Sequence, residues 1–293
     1  MPLHPVRPVN PVLSLTINWW RVEWLCLLQS FRSVRRHRRY GGVVLLLYGK
    51  SLVKWQPMRV HRIGFAALQG LDDLLDGDRP CIGEPLDVAA KVRHAVIELA
   101  FDNSEWGILF GALSVTLASS CQNNEALTIL VALIDDMMSD RKRVKERLLL
   151  SREDLFKHLR STFVHSLDLS LIATGSIFRA HDMSDLVEML SWCSVVRDLH
   201  EDWEKGLINV PIEVLRQAGW PDQQDPALIA SPAVSAWLHQ EYNAVEQNFV
   251  AFRRVESMFS DCKYDPGIAM LSLYAKALHR YRKSYYLSKP NAY

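Results

Sequence analysis

Residues 190–215 read LSWCSVVRDLHEDWEKGLINVPIEVL, and this stretch decides the fold. An apolar run, Leu190 to Val196, leads into Asp198, Glu201 and Asp202 at positions i, i+3 and i+4. At a period of 3.6 residues that spacing places three carboxylates on one helix face. Ser184 is expected to cap this helix, which runs to Lys205, and Gly206 supplies the stop. Pro211 then opens another helix through Leu215.

Working outward, Asp72-Asp73-Leu74-Leu75-Asp76-Gly77-Asp78 repeats the pattern. Asp72 and Asp76 lie four apart, Asp73 and Asp76 three apart, after a nearly apolar run from Ile63 to Leu71. Like charges at helical neighbours repel, so they add nothing to stability unless a cation neutralises them. Hard oxygen donors of this kind suit Mg²⁺, which keeps several waters and completes its shell with phosphate oxygens. The metal candidates are therefore Asp72, Asp73, Asp76, Asp198, Glu201 and Asp202, holding more than one ion. Arg197, with Arg141 or Lys142, stands near the clusters and could donate to an anionic group. Phe65, Phe163, Trp192 and Trp203 are candidates to line an apolar pocket, with plain core as the competing reading.

Elsewhere the pattern is helical. Ser151-Arg152-Glu153-Asp154 reads as a helix start before Leu155 to Ile172. The final segment, Ile268 to Leu287, spaces its apolar residues three, four or seven apart. Few stretches alternate with period two, so a sheet has little support. The expected organisation is a proline-rich, disordered lead-in over residues 1–15 and one α-helical domain over 16–293.

Composition excludes several classes. With 293 residues and a net charge of +1, nothing points to nucleic acid. Five scattered cysteines without C-x-x-C spacing suit a reducing, cytoplasmic setting and argue against structural zinc. No apolar run approaches the ~18 residues of a spanning helix. His158 and His165 lie seven apart with no third ligand evident. The N-terminal region is unusual: no acid stands between Trp24 and Leu71, while arginines crowd residues 32–39 beside Trp19, Trp20 and Trp24. A solvated basic face, peripheral contact with an anionic membrane and an organellar transit peptide are the three readings.

The order of these features resembles the squalene/phytoene synthase family. That family carries a D-x-x-x-D helix and later an R-D-x-x-E-D helix followed by a glycine loop and a proline. Asp72 to Asp76 matches the first, and Arg197 through Gly206, Val210-Pro211 and Leu215 the second. Looser agreement takes in Lys50-Ser51-Leu52, Leu133 through Asp140 and the tyrosine-rich last helix, so that the likeness covers roughly residues 45–287. It implies an all-α class I isoprenoid synthase bundle around a central cavity. Asp72, Asp76, Asp198 and Asp202 would be its metal-site residues, with Lys50, Ser51, Arg141 and Arg197 toward the substrate diphosphate. The chain departs from the pattern at Gln69, where an Arg is usual, at Phe65 for Tyr, at Ser194 for Asn, near Phe163 for a small turn, and at Gly206-Leu207-Ile208-Asn209.

What the resemblance implies is Mg²⁺-dependent ionisation of an allylic prenyl diphosphate, farnesyl or geranylgeranyl. The departures fall where a second prenyl chain would sit, so a terpene synthase acting on one substrate leads. Prenyl transfer, by head-to-head coupling or to another acceptor, is the alternative. A non-catalytic assembly factor of similar fold is the third reading. Oligomeric state is left open.

Overall fold

The computed structural model describes residues 17–38, 40–118, 123–220, 226–262 and 264–281. The expected lead-in over residues 1–15 lies outside them, as does the end of the last helix, 282–287. Among the described residues every regular element is helical: eleven α-helices, two short 3-10 helices and no strand. The expectation of an all-α chain is met at that level. The sequence led to one domain over 16–293; the helices gather into two compact units, one reaching to Met138 and including Ile172–Thr174, the other built from Ser139–Leu171 and from Gly175 on.

In the first unit, α1 (Trp19–Arg36) and α5 (Glu105–Ala118) pack on α3 (Arg59–Leu75), with α2 (Tyr40–Ser51) and α4 (Pro85–Glu98) beside them. α3 is central because Ile63, Ala66, Ala67, Leu71 and Leu74, three or four apart, bury one continuous stripe. Phe110, Leu113 and Leu117 of α5 are fully enclosed. Gly70 permits close packing, since a Cβ there would meet the Trp106 ring at 3.3 Å. α6 (Asn123–Glu146) begins in this unit.

The second unit is organised on α8 (Ser184–Glu204), which packs along α10 (Pro232–Asp261) and touches α11 (Ile268–Tyr281). α7 (Arg152–Thr174) starts where Ser151 was expected to cap: the Ser151 hydroxyl accepts from the Asp154 N–H at 3.1 Å and donates to its carboxylate at 2.7 Å. Pro211 stands as the N-cap of the short α9 (Ile212–Gln217). Ser184 is the first residue of α8, and Met183 holds the cap position. Trp192 anchors the core, stacked on Phe156 at 6.3 Å and edge-on to Trp237 at 5.7 Å.

Candidate functional site

The Asp72 cluster occupies the C-terminal end of α3. The Asp76 N–H donates to the Asp72 carbonyl at 2.8 Å, and Gly77, with φ +80°, turns the chain away. The helix dipole places negative potential at this end, so carboxylates here are unfavourable. No basic residue of α3 offsets them in its last turn.

The three aspartates are not equivalent. Asp73 is buried, 2% exposed. Arg36 donates to its Oδ2 at 2.9 Å and the Ser33 hydroxyl at 3.5 Å, both from α1. Gln69 Nε2 donates to Asp73 Oδ1 at 3.0 Å and to Asp72 Oδ2 at 3.3 Å. Asp72 is half-buried and Asp76 exposed. An amide thus stands over two carboxylates, supplying hydrogen bonds without charge. Asp73 is engaged in holding α1 to α3, which leaves Asp72 and Asp76 as the more accessible donors. Just beyond the helix, His37 Nε2 lies 3.4 Å from Asp78 Oδ2.

The other first-unit candidates lie in different surroundings. Ser51 is buried; its hydroxyl donates to the Leu47 carbonyl at 2.7 Å and accepts from Arg62 Nη1 at 2.7 Å. Its only proton is therefore committed within the fold. Lys50 is exposed. Phe65 is half-buried, with its ring edge-on to Tyr40 at 6.0 Å.

In the second unit, Asp198, Glu201 and Asp202 share one face at the end of α8, again with no basic residue in the last turn. The end is a Schellman turn: the Leu207 N–H reaches the Asp202 carbonyl at 2.8 Å, and Gly206 takes φ +83°. Arg197 Nε lies against the adjacent Asp198 carboxylate at 2.9 and 3.0 Å. Lys205 pairs with Glu201 at 3.1 Å.

Asp202 heads a chain of side chains that the sequence did not disclose. Asn209 Nδ2 donates to Asp202 Oδ2 at 2.9 Å, while Asn209 Oδ1 accepts from Arg143 Nη2 at 3.0 Å. Arg143, buried to 3%, also donates to the Ile208 carbonyl at 2.8 Å and to Asp140 at 2.8 Å. His158 Nε2 lies 2.8 Å from the same Asp140 oxygen. The signal that could have found Asn209 is the glycine stop itself. A Schellman turn returns the chain past the last helical turn, so a polar residue three beyond Gly206 comes back within reach of Asp202.

Arg141 is half-buried, and its Nε, like that of Arg143, has no hydrogen-bond partner among the described residues. Phe163 is half-buried against the core cluster, whereas Trp192 and Trp203 lie inside it at 1% and 3% exposure. Ser194 is half-buried on α8. An open groove of about 620 Å³ is lined by Ser151, Arg152, Glu153, Phe156, Arg160 and Glu213. It includes none of the α8 carboxylates, and its arginines already face Glu241 and Glu188.

Both helix ends therefore offer hard oxygen donors in an unfavourable helix-end field, a donor set that fits a divalent cation such as Mg²⁺. Asp72 and Asp76 on α3, and Asp198, Glu201 and Asp202 on α8, are the residues able to supply it. No family model matches the chain, and neither a curated protein nor a solved structure gives a significant match.

Proposed function

We propose that the chain is a Mg²⁺-dependent class I isoprenoid synthase that ionises an allylic prenyl diphosphate and releases pyrophosphate. The observation that carries this reading is the repeated device of α3 and α8. Each apolar helix ends in carboxylates four residues apart, against its own dipole, on a left-handed glycine. Such an arrangement costs stability unless a cation is bound. The motif order seen in the squalene/phytoene synthase family supports the choice of substrate class.

In this reading Mg²⁺, when bound, supplies Lewis-acid neutralisation of the departing diphosphate. Asp72 and Asp76 of the first unit, and Asp198, Glu201 and Asp202 of the second, would each be ligands for it, and Asn209 keeps Asp202 in one rotamer. Arg141 and Arg197 donate hydrogen bonds to phosphate oxygens. Cyclisation or quenching of one prenyl cation is the leading outcome, and prenyl transfer the second.

One observation favours a non-catalytic assembly factor instead: Asp73 and Asp198 both already lie against arginines, Arg36 and Arg197. The two readings separate in a single assay. Purified protein is given farnesyl or geranylgeranyl diphosphate with and without Mg²⁺; pyrophosphate is measured and the hydrocarbon extract analysed by mass spectrometry. Mg²⁺-dependent release that is lost in Asp72→Asn and in Asp198→Asn supports the synthase. A product with one substrate's carbon count indicates cyclisation, and a doubled count indicates coupling. Absence of release from folded protein with both substrates rejects the enzyme.

A further inference from the structure

α1 is built inside out. Its buried residues are Val22, Cys26, Gln29, Ser30 and Ser33, mostly polar. Its large apolar side chains face the solvent: Trp20 is 89% exposed, Trp24 65%, Leu27 47% and Phe31 66%. Spaced four, three and four residues apart, they form one stripe roughly 16 Å long on a helix rising ~1.5 Å per residue. α2 repeats the inversion. Its one buried residue is Ser51, while Val43, Leu45 and Leu46 are exposed. Leu52 and Val53 follow at 87% and 85%.

Single exposed apolar residues are ordinary; their concentration is not. Among the described residues, ten of the sixteen exposed large hydrophobics fall between Trp20 and Trp55. The charges in the same stretch have one sign. Glu23, its one acid, is held by Arg59 at 3.4 Å and Arg62 at 2.7 Å. Arg21, Arg35, Arg38, Lys50 and Lys54 are exposed.

An apolar, tryptophan-bearing surface ringed by cations matches an anionic lipid surface in both of its terms. The indole ring sits well at headgroup depth, with its apolar body buried and its N–H wet. A second copy of the chain would bring the same cations against themselves. Spanning is excluded for these elements: α2 has 12 residues, against the ~20 a crossing helix needs, and no described helix is long and apolar enough to cross a membrane.

We propose that α1, α2 and the residues to Trp55 form a docking surface for the anionic face of a lipid bilayer. Trp20, Trp24 and Phe31 enter the headgroup layer, and Arg35, Arg38, Lys50 and Lys54 meet lipid phosphates. The surface stands independently of any chemistry at the carboxylates.

The full chain is mixed with vesicles of phosphatidylcholine alone, or of equimolar phosphatidylcholine and phosphatidylserine, and followed by flotation and tryptophan emission. It floats with the anionic vesicles, its emission shifts to the blue, and both effects weaken as salt is raised. Trp24→Ser with Phe31→Ser, and separately Arg35→Glu with Arg38→Glu, each lower the bound fraction by about tenfold or more. All four positions are surface residues, and circular dichroism verifies that the variants fold. Ile177→Ser, at an exposed apolar position of the other unit, leaves binding unchanged. Failure of the folded wild type to float with the anionic vesicles overturns the proposal, as does flotation of the stripe and charge variants equal to that of the wild type. So does a wild-type dimer that the stripe variants abolish in the absence of vesicle binding.

Discussion

The aspartates of one helical turn are chemically identical and differ only in what reaches them. Asp73 receives Arg36, Ser33 and Gln69 and is nearly sealed from water, so its loss leaves the half-buried Arg36 guanidinium and the Gln69 amide without their acceptor. Asp73→Ala is expected to cost roughly 2 kcal/mol, whereas Asp72→Ala, half-exposed, should stay within about 1 kcal/mol; urea denaturation of the two variants makes the comparison. Asp202 differs again, because Asn209 fixes its rotamer from behind. Asn209→Ala should raise the Mg²⁺ concentration needed for half-maximal binding by about 10-fold or more, since residues that orient a ligand contribute on that scale. Isothermal titration with Mg²⁺ reads this, and Asn209→Asp, which still accepts from Arg143 but cannot donate, should not restore it. The sequence identified the acids, because their spacing is local. It could not say which acid was already engaged, because Arg36 lies 37 residues from Asp73 and Arg143 66 from Asn209.

Elements were legible wherever their boundary chemistry is local. Ser151 with Asp154, Pro211 and Gly206 each mark a helix terminus in the sequence, and each stands at one in the structure. Gly206 does so, and Gly77 ends α3 in the same way, because φ near +80° places a Cβ against the following backbone in any other residue. Gly206→Ala should therefore cost about 1 kcal/mol, seen as a lower thermal midpoint, and should loosen Asp202 through the displaced Asn209. α1 was the least legible element. Its arginines and tryptophans were plain, but which side faced inward was not, since the usual rule that apolar residues point in fails here. Gln29 and Ser33 are inside because acids of α5 and α3 are there to receive them, and Ser30 meets the Tyr48 side chain.

At the scale of the molecule, the helical class followed from periodicity alone, while the grouping of helices into two units depended on contacts distant in sequence. The cysteines offer a global probe. Burial pushes the Cys26 and Cys193 thiols up to about 12, from an ordinary value of 9.0. Below pH 9 folded and unfolded chains both keep these protons. Above it the unfolded chain ionises first, so this contribution to stability is lost as pH rises from about 9 toward 12. At pH 8 a thiolate-directed reagent should spare both in the native protein and label both in urea, while half-buried Cys81 reacts early. The way α1 is attached carries a last consequence. Beside the buried Val22 and Cys26, its ties to the rest of its unit run through Glu23 to Arg59 and Arg62, Gln29 and Arg32 to Glu105, and Arg36 to Asp73. A segment fastened largely by ion pairs comes loose differently from one fastened by oil: at molar salt, amide hydrogen exchange should accelerate in α1 before it does in α3 or α5. The same helix that presents tryptophans outward is then a latch, and ionic strength is the hand that lifts it.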